Sequence, residues 1–374
     1  MFENLEIDIW FILLLVVGVL MLIQLFYFFF FYLKLARYKE REIKNEIKPV
    51  SVIIAARNEE RNLMEFLPLI FKQNHPDFQV VVVNDRSWDG SLNVLEAFQK
   101  SEPRLHVVNI QDNDLYTHGK KMAITLGIKG AKNDLLVFTD ADCFPNSENW
   151  LKEMSLTAEN KELLLAYSPY KKRRGFLNRV IRFETYITGV NYLSFALRGL
   201  PYMGVGRNMT YKKDLFFAHN GFKSHYQIAS GDDDLFVNQV ATKKNTEITL
   251  NQESFVTSLP KTRFKNWWNQ KRRHYTTGPH YKFKHKLLLS LFPMSWMLIL
   301  IISAILLVMM KFWIVVLALL GARITIQLLI FSSITKKMAC RDMLLLTPIL
   351  EILFLVLNPL IHLSNSFVKT NKWN

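Results

Sequence analysis

The sequence predicts an α/β fold, a mostly parallel sheet with covering helices, set between membrane-spanning α-helices at both ends. Three observations predict it. Apolar strand-like runs alternate with helix-periodic segments between residues 50 and 139, the order that gives a parallel sheet. Bilayer-length apolar stretches lie before and after that region. Acidic groups follow the strand-like runs, where the carboxyl edge of such a sheet binds ligands.

The chain has 374 residues, of which 50% are hydrophobic and 21% charged. That combination fits greasy segments joined to a soluble part. The formal net charge is +15; much of the basic charge flanks the apolar segments, so membrane lipids and anionic substrates are expected partners and nucleic acid is not. Two cysteines, Cys143 and Cys340, lie far apart and form neither a zinc spacing nor a disulfide framework.

Residues 9–31 are long and apolar enough to cross a bilayer, with Gln24 their one strongly polar residue. Glu3, Glu6 and Asp8 precede them, and Lys34, Arg37, Lys39 and Arg41 follow. Positive-inside bias therefore puts the part after Lys34 in the cytoplasm. Pro49 opens a different composition. Strands are expected at 50–55, 78–83, 105–109 and 135–139, and helices at 62–73, 91–99 and 119–129, with Pro68 as a kink or break in the first helix. Beyond residue 146 the pattern is less regular, with a strand expected at 163–167 and an aromatic-rich helix at 176–197. Residues 261–286 are basic and aromatic and suit a helix on the membrane surface. Further apolar segments cover 287–310, 312–334 and 343–363. The last contains Pro348, Glu351 and Pro359 and suits either a fourth crossing or an interfacial segment. Arg323 and Glu351 are expected to pair or to face a polar cavity. The division is an N-terminal anchor at 1–34, an α/β domain at 48–260, the interfacial segment at 261–286 and C-terminal membrane helices at 287–363.

Four acidic groups should meet at one cleft: Glu59 with Glu60, Asp85 with Asp89, Asp140 with Asp142, and Asp232 to Asp234. The Asp140-Ala-Asp142 arrangement can hold Mg²⁺ or Mn²⁺ through oxygen, sharing it with substrate phosphates, or can simply end a strand in a solvated turn. Lys120 opens a helix, where backbone N–H groups favour phosphate. The aspartate triple can cap the helix expected at 235–241 and can supply a general base.

Six motifs occur in order: Ser51-Val-Ile-Ile-Ala-Ala-Arg-Asn-Glu-Glu, Val83-Asn-Asp-Arg-Ser-Trp-Asp-Gly-Ser, Gly119-Lys-Lys-Met-Ala, Thr139-Asp-Ala-Asp, Gly204-Val-Gly-Arg-Asn and Gly231-Asp-Asp-Asp-Leu. In these the chain resembles the family 2 glycosyltransferases of membrane-embedded type. The resemblance implies the GT-A fold, Rossmann-like with helices on both faces of the sheet. It implies a nucleotide-diphospho-sugar donor, with UDP the expected nucleotide, and a lipid or glycan acceptor. The expected setting is a bacterial plasma membrane with the catalytic domain cytoplasmic. Carried over, it places Ala55, Arg57, Glu59 and Asp85 on the nucleotide, Lys120 near the donor diphosphate, and Asp140 and Asp142 on the metal, with Asp142 the more direct ligand. Asp232 is the implied base, with Asp233 second. Gln270-Lys-Arg-Arg-His is similar to the Gln-x-x-Arg-Trp motif of the processive cellulose, hyaluronan and poly-N-acetylglucosamine synthases. It adds Gln270 and Arg273 to the donor site. His274 replaces the Trp, Asn84 a common Asp, and Gly231 the usual Glu. The expected activity is inverting transfer of one sugar; processive synthesis and a catalytically inactive assembly partner are the alternatives.

Overall fold

The computed structural model describes residues 8–40, 46–111, 119–158 and 161–367. The first rod is α1 (Ile9–Phe26), a π-helical stretch (Tyr27–Tyr32) and α2 (Leu33–Ala36) in unbroken succession. The α/β part follows as β1 (Val50–Ala56), α3 (Glu60–Phe71), β2 (Phe78–Asp85), α4 (Ser91–Ser101), β3 (Leu105–Ile110), α5 (Lys120–Gly130) and β4 (Leu135–Phe138). Next come β5 (Cys143–Pro145), α6 (Trp150–Ala158), β6 (Leu163–Ala166), α7 (Phe176–Leu197), β7 (Met209–Lys212) and α8 (Lys213–Ala218). After these lie α9 (Asp234–Val240), β8 (Thr246–Thr249), β9 (Val256–Ser258) and α10 (Phe264–His274). The chain ends in α11 (Phe283–Val308), α12 (Trp313–Lys337) and α13 (Thr347–Phe367).

Seven strands form one sheet in the order β3-β2-β1-β4-β7-β6-β8. β1 pairs in parallel with both β2 and β4, and every β1 residue is buried, as a central strand covered on both faces requires. β7 is antiparallel to β4 and β6, which the alternating pattern of the first half did not announce. Pro68 does not break α3; the helix runs through it. The proline forfeits one backbone bond to Met64, whose side chain is exposed, so water can take the carbonyl.

Alternate β-residues feed two cores. Val52, Ile54, Val80 and Val82 pack under α3, α4 and α6. Ile53, Ala55, Val81 and Val83 join a cluster that includes α5, α7, Tyr27, Phe28, Phe331 and Ile361. The sheet's second face is therefore continuous with the membrane helices.

Among the described residues, four helices are long and apolar enough to cross a membrane: Ile9–Ala36, Phe283–Val308, Trp313–Lys337 and Thr347–Asn365. The first three pack on one another around Val17, Ile299, Leu306 and Val316, all fully buried. α13 differs. Just before it, Asp342 meets Arg182 at 2.7 Å and Lys172 at 2.9 Å. Near its far end, Asn365 binds Arg272 of α10, and Asn358 accepts from Tyr275. Both ends are thus held by the α/β part and α10. Ile349, Ile352, Val356, Leu360 and Leu363 form an exposed apolar row along it, as on a helix lying in a membrane face.

Arg323 is 1% exposed at the centre of the bundle. It meets Glu351 at 2.9 Å, Gln327 at 2.7 Å and Gln24 at 3.0 Å, and its guanidinium lies 3.7 Å from the Trp296 ring centre. The pairing expected for Arg323 and Glu351 is thus present, and it ties α1, α12 and α13. Arg323→Ala would strand the Glu351 carboxylate, a change that costs about 3–5 kcal/mol for a buried pair. Thermal melting in detergent is expected to show that loss. Arg323→Met combined with Glu351→Met is expected to recover most of it.

Candidate functional site

The site lies beyond the carboxyl ends of β1 and β4, where the strand order reverses direction. β4 ends at Phe138, and Thr139-Asp140-Ala141-Asp142 leaves the sheet there. β7 enters antiparallel, so Phe138 faces Met209 and the Gly204–Arg207 loop reaches the same edge. α5 starts with Lys120 beside it.

Lys120 joins the acids. Its Nζ is 2.8 Å from Asp140 and 3.1 Å from Asp232. Burial works to lower its pKa, but Asp140, Asp232 and Asp233 outweigh that and raise it, so it is a fixed cation. Its neighbour Lys121 is buried and donates to the carbonyls of His225, Ile228 and Ser230 at 2.6–2.8 Å. Two consecutive lysines of α5 therefore hold the 225–232 loop, one by its backbone and one by its carboxylate.

The three aspartates have different surroundings. Asp233 is the N-cap of α9: one oxygen accepts from the Asp234 N–H and the other from the Gly206 N–H, both at 2.8 Å. Asp234 accepts from Thr277 at 2.5 Å, Tyr281 at 2.7 Å and the Leu235 N–H at 2.8 Å. It fixes the start of α9 to the segment after α10. Asp232 has Lys120 as its side-chain partner. Burial opposes its charge, but Lys120 and then Arg273 hold its pKa below the usual value. Burial, then Asp232 and Asp234, push Asp233 up to about 7. Gly231 has φ +101°, and a Cβ there would come within 2.5 Å of Leu235. The turn that presents Asp232 thus leaves no room for the glutamate of the family pattern.

A ligand atom from each of Asp140, Asp142 and Cys143 can be drawn within 4.8 Å of the others. Burial, then Asp142 and Asp140, raise the Cys143 thiol well above its ordinary pKa, and its Sγ lies 3.3 Å from an Asp142 oxygen. A protonated thiol is not a metal ligand. Two carboxylates, with Cys143 donating to Asp142, fit a hard cation whose remaining ligands are water and phosphate. Glu59 stands close by: burial, partly offset by Asn62, and then Asp142 raise it to about 7.

Lys120, Asp140, Asp142, Asp232, Asp233, Gln270 and Arg273 all line one cavity of about 890 Å³. Ala55 lines a small adjoining crevice with Lys120, Asp140 and Asp232. Arg57 and Glu59, on the loop after β1, and Asp85, the last residue of β2, lie outside the cavity. Asp85 pairs with Arg86 at 2.7 Å, and its other oxygen is buried without a hydrogen-bond partner among the described residues. Glu60 and Asp89 do not join the cleft. Asp89 accepts from the Glu60 and Ser91 N–H groups and Glu60 from the Gly90 N–H, so they staple two loops together.

The basic run of α10 divides by helical phase. Gln270 and Arg273 face the cavity, Lys271 meets Glu184 at 2.6 Å, and Arg272 meets α13. Burial, then Lys271 and Arg273, drive the His274 pKa well below its usual value, so this replacement for Trp is neutral. Arg207 also lines the cavity, held by Ser168 and stacked 4.7 Å from the Tyr170 ring centre. Its motif was visible in the sequence, but nothing there gave Arg207 a role.

Residues 51–222 match the family described as Glycosyl transferase family 2. The chain carries a family 2 glycosyltransferase domain. It is 32% identical over 124 residues to the uncharacterized glycosyltransferase YfnE of Bacillus subtilis, covering 33% of this chain and 30% of that protein. It is 31% identical over 105 residues to glycosyltransferase AglE of Haloferax volcanii, covering 28% and 33%. These alignments span about a third of each relative. Among solved structures, the chain is similar to mannosyltransferase PcManGT from Pyrobaculum calidifontis in complex with GDP-Man and Mn²⁺. The TM-score is 0.58 at 17% identity, covering 92% of this chain and 98% of that one. At that identity the likeness shows the fold alone, which is GT-A-like.

The raised Asp233 carboxyl has a stability signature. A carboxyl whose pKa rises on folding from 3.8 to about 7 binds more protons folded than unfolded between those values. Its contribution to stability therefore weakens as pH climbs through that window. Asp233→Asn removes this dependence. Its melting temperature is expected to fall less than that of the wild type between pH 5 and pH 8. Equal falls in both proteins would contradict the assignment.

Proposed function

We propose that the chain is a membrane-bound inverting glycosyltransferase. It moves one sugar from a nucleotide-diphospho-sugar, with UDP the expected nucleotide, to a hydroxyl of a lipid or glycan acceptor. The observation that carries this reading is the Asp140–Lys120–Asp232 chain within one cavity. It joins the acids suited to a metal, a cation suited to phosphate and a carboxylate suited to a base.

In this reading Ala55, Arg57, Glu59 and Asp85 receive the nucleotide, and the unpartnered buried oxygen of Asp85 supports that role. Asp142 and Asp140 would hold Mg²⁺ or Mn²⁺, which would supply positive charge to offset that of the diphosphate. Lys120, Arg273 and Gln270 bind the diphosphate oxygens, Arg273 through a guanidinium that matches them in pairs. Asp232 takes the proton of the acceptor hydroxyl. The acceptor oxygen bonds to the anomeric carbon as the bond from that carbon to phosphate breaks, and the nucleoside diphosphate leaves with the electron pair. Asp232 is favoured over Asp233 because both Asp233 oxygens already accept backbone N–H groups.

The Gln270 and Arg273 pattern favours a processive synthase as the second reading. The closed bundle speaks against it. Beneath Glu351, the buried Gln24, Trp296, Arg323 and Gln327 and the packed Ile299 and Leu306 fill the space between the described helices, where a polysaccharide would have to pass. The contacts of α13 support three crossings, by α1, α11 and α12, with α13 along the cytoplasmic membrane face beside the catalytic domain.

Asp232→Asn is expected to lower initial transfer rate by ~10²- to 10⁴-fold, the range of a lost general base, with nucleotide binding kept. Asp142→Asn and EDTA treatment are each expected to abolish transfer; full activity after both would remove the metal from the scheme. Topology is checked by labelling intact cells with an impermeant thiol reagent, the native Cys143 and Cys340 being buried. A cysteine at Met310 is expected to react and one at Ser101 to react only after permeabilisation.

A further inference from the structure

The cavity changes character past Asp234. Its donor end is rich in charge. Its other end reaches Tyr27 and Tyr32 of the first rod, Phe292 and Met297 of α11, Phe331 of α12 and Leu355 of α13. The charged side chains on this side are engaged: Glu184 with Lys271 at 2.6 Å, Glu351 with Arg323 at 2.9 Å, and Lys286 with the Pro279 carbonyl at 3.1 Å. Two asparagines lie among them. Tyr32 donates to Asn191 Oδ1 at 2.9 Å, and Tyr275 donates to Asn358 Oδ1 at 2.7 Å. In these orientations neither amide nitrogen has a protein partner among the described residues. With the half-buried Thr188 beside them, the wall offers neutral donors and hydroxyls. Met297 is 38% exposed on a membrane-length helix, so the apolar end meets the lipid phase.

We propose that this membrane-side half of the cavity is the acceptor site, and that it takes a lipid with an uncharged, hydroxyl-bearing headgroup of the glycerolipid or glycolipid class. The proposal rests on the transferase reading and names its acceptor. Asn191, Asn358 and Thr188 bind headgroup oxygens, and the tails leave between α11 and α13. A phosphate headgroup would need free cations, whereas Lys271 and Lys286 are engaged here and Asp232, Asp233 and Asp234 stand at the entrance to the donor end. A base such as Asp232 also suits a hydroxyl, which must lose a proton on attack; a phosphate acceptor is already anionic.

The test uses the full chain purified in detergent and two probes of equal concentration, glucosyl-dioleoylglycerol and undecaprenyl phosphate, with retention read by native mass spectrometry. UDP and GDP binding, each with Mn²⁺, is measured by calorimetry on the same samples. Glucosyl-dioleoylglycerol is expected to be retained at least tenfold better than undecaprenyl phosphate. Met297→Trp at the apolar mouth and Thr188→Val at the headgroup wall are each expected to reduce that retention fivefold or more, with nucleotide affinity unchanged. Equal or better retention of undecaprenyl phosphate overturns the proposal, as does nucleotide binding without retention of either lipid. Retention of the neutral lipid without nucleotide binding upholds the lipid site and sinks the transferase reading instead. Loss of lipid in neither variant places the lipid elsewhere and overturns the proposal.

Discussion

A half-buried ammonium shared by two carboxylates governs the arrangement of the cleft. Lys120 reaches Asp140, on the loop after β4, and Asp232, ninety-two residues further along. Asp232 is buried and Lys120 and Asp140 are half-buried, and a charge so placed is more costly alone than in a pair. The β4 exit, the start of α5 and the loop before α9 are therefore mutually conditional. Lys121 adds the second constraint by satisfying three carbonyls of a loop that forms no ladder of its own. Asp234 adds a third, tying the same loop to Thr277 and Tyr281.

The same logic recurs within the membrane helices. Arg323 is compensated by Glu351, Gln24 and Gln327 and lies against Trp296. One polar assembly organises the cleft and another the bundle, and the cavity runs between them. Phe31 stacks on Phe195 at 4.1 Å, and Gln252 binds the carbonyl end of α12. These contacts make the first rod and α12 part of the catalytic domain's support, and they explain why a single core spans both regions.

Much of this was legible in the sequence because it rests on local rules. The buried runs at 50–55, 78–83 and 135–139 and the turn chemistry after each are short-range signals, and they gave the first half of the sheet. The Asp140-Ala-Asp142 and Gly231-Asp232 motifs gave the cleft acids. Tertiary pairing was not legible. β7 is four residues long, reads Met-Thr-Tyr-Lys and has no apolar run; it is a strand because β4 and β6 flank it. β8 and β9 are short for the same reason. Glu60 and Asp89 resembled cleft acids, since nothing in one dimension distinguishes an acid that binds a ligand from one that accepts a neighbouring loop's N–H. The two ends of α13 are fixed by partners 160 and 93 residues away, beyond the reach of any hydropathy window.

The attachment of α13 has a geometric consequence. A catalytic domain on a flexible stalk can work at many heights above a bilayer. Here α13 is held at both ends and the first rod is wedged against α7, so the distance from the lipid phase to Asp232 is a fixed length of the protein. Such a cleft acts as a ruler. For a lipid acceptor of the kind proposed, a headgroup shorter than that length would not present its hydroxyl to Asp232 and a longer one would carry it past, so acceptors would be sorted by reach before any hydrogen bond to the sugar is formed.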